Sequence, residues 1–198
     1  MTEDKQFQPM ARVIPFRSAL MPEETLRSAQ DSYLRNLFLN GLQAEEEENL
    51  EDAIESYARI IVLRSDHSDA LNNLGKIYFC LGSFNKALAY WHRVTKRNPK
   101  YVTAWFNLAN VYDELHRYDD AVMAGTKAIM LKPDYADAYY NLALAYEHLG
   151  QRQKALQYWR QYVRLDPVGP WADSAKSMMK KTVSSSRLEL IDSAVSQG

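Results

Sequence analysis

Between Ser68 and Tyr101 the apolar residues fall twice into helical spacing. Leu71, Leu74, Gly75 and Tyr78 stand at i, i+3, i+4 and i+7, and Ala87, Trp91 and Val94 follow at similar spacing. Each set lines one face of a helix with about 3.6 residues per turn. Gly82-Ser83 separates the two stretches. Asn98-Pro99 ends the second, because proline lacks the N–H and clashes with the preceding turn. The pattern predicts a helix, a tight turn, an antiparallel helix and a proline-marked loop.

The same unit recurs. At an offset of 34 residues Asn73 falls on Asn107 and Asn141, Leu74 on Leu108 and Leu142, Gly75 on Ala109 and Ala143, Tyr78 on Tyr112 and Tyr146. Leu81, Ala87 and Pro99 repeat in the same way as Leu115 and Leu149, Ala121 and Ala155, Pro133 and Pro167. Gly75 and its alanine counterparts are expected where the two helices of a unit cross most closely, with Ala87, Ala121 and Ala155 opposite. A larger side chain there would push the helices apart.

In these residues (Leu-Gly/Ala, then Tyr, then Ala, then an aromatic, then Pro, at this period) the chain resembles the tetratricopeptide repeat family. The resemblance implies an all-α, right-handed solenoid of antiparallel helix pairs that serves as an interaction scaffold. Units 68–101, 102–135 and 136–169 match well. A looser one completes a segment 22–67, where Leu37, Gly41, Ala53, Tyr57 and Ile60 fit but Asn40, Ala44 and Ser65 depart from the pattern. Pro22-Glu23-Glu24 starts a first helix longer than a repeat helix, with acids near the positive end of its dipole. The acidic run Glu45–Glu48 is expected as a solvated helix end. Residues 1–21 are expected as an extended or disordered arm, punctuated by Pro9 and Pro15. A capping helix is expected over 170–182, with Ala172, Ala175, Met178 and Met179 covering the last apolar face. Ser184–Ser186 should break it, leaving a tail over 183–198 in which Leu188 to Ala194 is either a short frayed helix or disordered. Gly125, where other units carry Tyr57, Trp91 and Trp159, is expected to leave room for a neighbouring Trp.

Composition narrows the function. The 198 residues carry 24 Lys and Arg against 25 Asp and Glu, so nucleic acid is disfavoured as a partner. One cysteine, Cys80, permits no internal disulfide. No apolar run approaches a membrane span, and the N-terminus lacks a secretory pattern, so a cytoplasmic location is expected. The four His are scattered, and no metalloprotease, nucleophile-elbow or phosphate-loop motif occurs. The expectation is a protein without enzymatic activity and without a cofactor.

What remains is a surface. A helical wheel leaves one side of each first helix outside the packing. In the first well-matched unit it carries Asp69, Asn72, Asn73, Lys76 and Phe79. In the next it carries Phe106, Asn107, Asn110, Asp113 and Glu114. In the third it carries Tyr140, Asn141, Leu144 and His148, together with Asp137 and Glu147. The family resemblance implies that first helices line a concave groove. Two features bear on its use. Asn73, Asn107 and Asn141 form a ladder, backed by Asn72 and Asn110. An Asn side chain both donates and accepts, so the ladder either grips a peptide backbone or bonds neighbouring helices. The rings of Phe79, Phe106 and Tyr140, with Leu144, put apolar surface where a polar face is expected. Some family members clamp two carboxylates with Lys, Asn, Asn, Lys and Arg. The aligned positions here are Asn72, Lys76, Asn107, Asp137 and Asn141, too few cations for that ligand. The expectation is a module that binds a neutral or basic peptide segment of a partner protein. The rival is a self-assembling scaffold whose long first helix or Trp171 cap pairs with a second copy.

Overall fold

The structure, a computed structural model, describes residues 23–195, with side-chain surroundings for 23–184. The arm expected over 1–21 lies outside the described residues. Every regular element described is an α-helix. The chain forms two compact units, Met1–Asn36 and Leu37–Gly198. Helix α1 (Glu23–Glu46) supplies the described part of the first and reaches into the second, and its 24 residues exceed the 13 or 14 of each helix from α2 to α8.

The second unit is a solenoid of helix pairs. It comprises α2 (Leu50–Leu63), α3 (Ser68–Cys80), α4 (Phe84–Arg97), α5 (Val102–Glu114), α6 (Tyr118–Leu131), α7 (Ala136–His148), α8 (Arg152–Leu165) and α9 (Ala172–Val195). From α2 onward each helix packs on the next in sequence, and α3 touches α5 as α5 touches α7. Side chains cap two helix starts, where backbone N–H groups lack intrahelical acceptors. Asn49 Oδ1 accepts from the Asp52 N–H at 3.3 Å, and His67 Nδ1 from the Ala70 N–H at 3.2 Å.

The turns repeat as faithfully as the helices. Glu48, Gly82, His116 and Gly150, spaced by 34 residues, all adopt left-handed backbone with φ of 58°, 67°, 57° and 69°. Glycine takes this conformation without steric cost, whereas Glu48 and His116 hold it against a Cβ penalty.

In the core, Ala87, Ala121 and Ala155 are buried and admit the close helix crossings. A Cβ on Gly75 would lie 2.6 Å from the Trp91 indole, and one on Gly41 2.6 Å from the Tyr57 ring. Gly125 differs from expectation. The group against it is Leu142 of the following unit, 3.0 Å from where a Cβ would stand, and not a tryptophan. Removing the aromatic ring left a hollow that a branched aliphatic side chain from α7 fills.

Two further differences concern the ends. Glu45 is not merely solvated: its Oε1 accepts from Tyr57 Oη at 2.6 Å and its Oε2 lies 3.4 Å from Lys76 Nζ. The break expected at Ser184–Ser186 does not occur, and α9 runs on to Val195. Serine costs only a few tenths of a kcal/mol relative to good helix formers, and no Gly or Pro interrupts this stretch. At its start α9 buries Ala172 and Ala175 beside Trp159 and Tyr162, with Met178 and Met179 half-buried against them. Thr182 Oγ1 donates to Glu147 Oε1 at 2.6 Å.

Candidate functional site

The unpacked sides of α3, α5 and α7 meet over a cleft of about 340 Å³ that the loop before α9 helps to line. Its walls are Phe79 from α3, Phe106 from α5, Tyr140 from α7 and Trp171, with Leu144 completing the apolar surface. Asn110 and Asn141 add amides, and Asp113, Glu114 and Asp137 add three carboxylates.

Each wall is fixed by packing. Phe79 lies against Phe84 and Trp91, with ring centroids 5.4 and 6.1 Å away. Phe106 packs on Tyr135 at 4.8 Å. Tyr140 is the hub: its ring is 4.9 Å from Trp159, 5.3 Å from Tyr162 and 5.6 Å from Trp171. Trp171 is held by its backbone N–H, which donates to Tyr162 Oη at 3.3 Å, and its side chain stays half exposed.

The electrostatics centre on Asp113. Its Oδ1 is buried and meets no hydrogen-bond donor among the described residues. Burial holds its carboxyl above the usual range. His148 pulls it down, Glu114 pushes it up and His116 pulls it down, each by less than burial. No group of three or more His, Cys, Asp or Glu side chains among the described residues is placed to hold a metal ion.

Of the residues expected on this face, Phe79, Phe106, Asn110, Asp113, Glu114, Asp137, Tyr140, Asn141 and Leu144 come together in the cleft. The others do not. Asn72 and Asn73, expected on the free side, are buried at 6% and 8% exposure. Asn72 Oδ1 accepts from Trp91 Nε1 and from Asn107 Nδ2, both at 3.2 Å, and Asn73 Nδ2 donates to Tyr57 Oη at 3.0 Å. Asn141 Nδ2 donates to Asn110 Oδ1. The amide groups of the ladder thus reach back to earlier helices. Asp69 accepts from Tyr101 Oη at 2.7 Å, and Lys76 faces Glu45. His148 stacks on Tyr118 at 4.5 Å and lies outside the cleft lining. The sequence reasoning passed over Trp171, assigned only to the cap. Its signal was a large aromatic directly after Pro170, ahead of the helix whose small residues do the packing.

The family comparison matches tetratricopeptide repeat models to residues 68–101 and 136–167, with overlapping matches at 93–123 and 114–150. Comparison with curated proteins gave no match. Among solved structures, the crystal structure of MamA protein aligns with a TM-score of 0.68 at 22% identity, over 78% of this chain and 88% of that one. A tetratricopeptide repeat protein from Parabacteroides merdae aligns at 0.69 and 20% identity, over 78% of this chain and 61% of that one. The first tetratricopeptide repeat domain of Spaghetti (RPAP3), bound to the HSP90 peptide SRMEEVD, aligns at 0.57 and 20% identity, over 60% and 91%. The period of 34 residues, the helix pairs with a left-handed residue at each turn, and family models that together span residues 68–167 have one explanation: this chain belongs to the tetratricopeptide repeat family.

Proposed function

We propose that the protein is a non-enzymatic protein–protein interaction module that takes a peptide segment of a partner into the cleft between α3, α5 and α7. The observation that carries this reading is the cleft itself, where four aromatic side chains and three carboxylates border one cavity. Aromatic anchors that are large, rigid and partly wet are what interfaces enrich. The relative bound to SRMEEVD supports peptide binding as a use of this fold, but that peptide carries three acidic side chains. Here the lining has no Lys, Arg or His among the described residues to neutralise them. The charge balance favours a neutral or basic segment instead, steered over about 8–10 Å at physiological salt.

A peptide array of matched acidic, neutral and basic sequences, probed with wild type and with Phe106→Ala, tests the reading. Retention of neutral or basic peptides that Phe106→Ala loses is the expected result. A preference for acidic peptides, or retention indifferent to Phe106, would refute it.

A further inference from the structure

Building on the peptide-binding reading, we propose that the cleft selects one chemical group on its partner, the guanidinium of an arginine side chain seated between the rings of Phe106 and Tyr140 and the carboxylate of Asp113. Two independent observations carry the inference.

The first is where this chain spends its own cations. Lys86 lies over the Tyr78 ring at 4.7 Å, Arg117 over Tyr112 at 4.6 Å, Lys132 over Tyr135 at 5.1 Å and Lys154 over Tyr146 at 5.2 Å. Such pairs are repeated along the fold. Phe79, Phe106, Tyr140 and Trp171 carry none among the described residues, although three carboxylates share the same cavity. The cleft therefore has the aromatic faces and the negative charge that attract a cation, and no Lys or Arg of its own among the described residues.

The second observation decides which cation. Asp113 Oδ1 is buried without a donor, and burial raises this carboxyl's affinity for its proton. Because Asp113 lines the cleft with its charge so poorly supported from within, a group entering there stabilises the carboxylate best by bringing both positive charge and an N–H. A quaternary ammonium satisfies the rings but has no N–H to give. A lysine ammonium has donors, but it is compact and strongly hydrated, so entering an aromatic cleft costs it more. A guanidinium is planar, stacks on rings, is weakly hydrated and presents five donors in a fork that matches a carboxylate.

The test uses the full chain, isotope-labelled for NMR, titrated with acetyl-Gly-Ser-Xaa-Ser-Gly-amide in which Xaa is arginine, citrulline, lysine or trimethyl-lysine. Citrulline keeps the shape of arginine and removes its charge. The arginine peptide is expected to shift the amides of Asn110, Asp113, Tyr140 and Leu144 and the indole N–H of Trp171. Binding should weaken about tenfold with citrulline, as loss of a charge-assisted hydrogen bond predicts. Lysine should fall between, and trimethyl-lysine should not exceed lysine. In Asp113→Asn the arginine peptide should lose its advantage over citrulline. Should Asp113→Asn unfold, Glu114→Gln on the exposed rim replaces it and should narrow the same gap. Trimethyl-lysine binding as tightly as arginine, or arginine shifts confined to other surfaces, overturns the guanidinium assignment. In either case, Phe106-dependent retention on the peptide array would leave the broader reading standing, and its loss would remove both.

Discussion

Replacing Asn72 by alanine separates the two uses of the asparagine ladder. Asn72 Oδ1 accepts two hydrogen bonds at 3.2 Å, from Trp91 Nε1 and from Asn107 Nδ2. Trp91 is 2% exposed, so water cannot replace the lost acceptor, and a buried donor without a partner costs about 1–3 kcal/mol. Asn107 is half-buried and water serves it in part, so its loss is nearer 0.5–1 kcal/mol. The better helix propensity of alanine returns about half a kcal/mol. The net is a destabilisation of about 1–3 kcal/mol, or roughly 2–12 °C in melting temperature for a chain of this size. Urea unfolding followed by circular dichroism and tryptophan fluorescence measures it. A variant that melts with the wild type yet loses its peptide would show that Asn72 serves the ligand and that its internal bonds carry no weight.

Three further outcomes follow from the same geometry. Tyr57→Phe strands Asn73 Nδ2 and removes the hydroxyl that donates to Glu45, so it should cost about 1–3 kcal/mol in urea titration, whereas an exposed tyrosine would cost nothing measurable. Glu48→Gly relieves a left-handed backbone and should raise stability by roughly 1 kcal/mol, and an unchanged or lower midpoint would contradict the strain. Asp113→Asn should oppose function and stability. The folded chain binds the Asp113 proton more tightly than the unfolded chain, so this group's contribution is most favourable below the ordinary carboxylate pKa and declines as pH rises through the raised one, with His116, His148 and Glu114 facing it. The amide variant should therefore lose that part of the pH dependence, which sets in above the ordinary carboxylate pKa, and melt no lower than wild type at neutral pH. It should still bind the arginine peptide less well. A neutral-pH melting temperature clearly below wild type would show that Asp113 is held by favourable charge contacts instead.

The repeat was legible because its physics is local. Leu71, Leu74, Gly75 and Tyr78 announce a helix face, Gly82 a turn and Pro99 a stop, and the offset then multiplies each signal. The left-handed residues at Glu48 and His116 were hidden because only glycine advertises that conformation. Only their register with Gly82 and Gly150 gives them away. The continuation of α9 through Ser184–Ser186 was hidden for the opposite reason, since serine weakens a helix too little to stop one. At the cleft, the helical wheel puts Phe106, Asp113, Tyr140 and Leu144 on the side of the helices that lines the cavity. It misplaced Asn72 and Asn73 because angle alone does not say whether the next helix stops short or leans across, and at these positions aromatic side chains of α2 and α4 take them as partners.

A single repeat position explains why the cleft lies where it does. Asn72, Phe106 and Tyr140 occupy equivalent places in α3, α5 and α7. In α3 the amide pins the Trp91 indole and the position closes into the core. In α5 the second helix offers Gly125 in place of an indole, an amide would have nothing to hold, and Phe106 turns to Tyr135 instead. In α7 the indole returns as Trp159, but Tyr140 meets it edge-on, and Trp159 Nε1 is left buried without an acceptor among the described residues. That unpaired donor is a standing cost of about 1–3 kcal/mol which an asparagine at 140 would remove, on the pattern of Asn72. The same substitution would take away the hub that Trp171 packs against and the wall that faces Phe106. The polar bond has been given up in the two units that supply Phe106 and Tyr140, so that part of the cleft is a local departure from the repeat rather than a consequence of it. Tyr140→Asn should accordingly stabilise the hydrogen bonding of Trp159 while abolishing peptide binding, and a variant that keeps its peptide would locate the binding surface elsewhere on the solenoid.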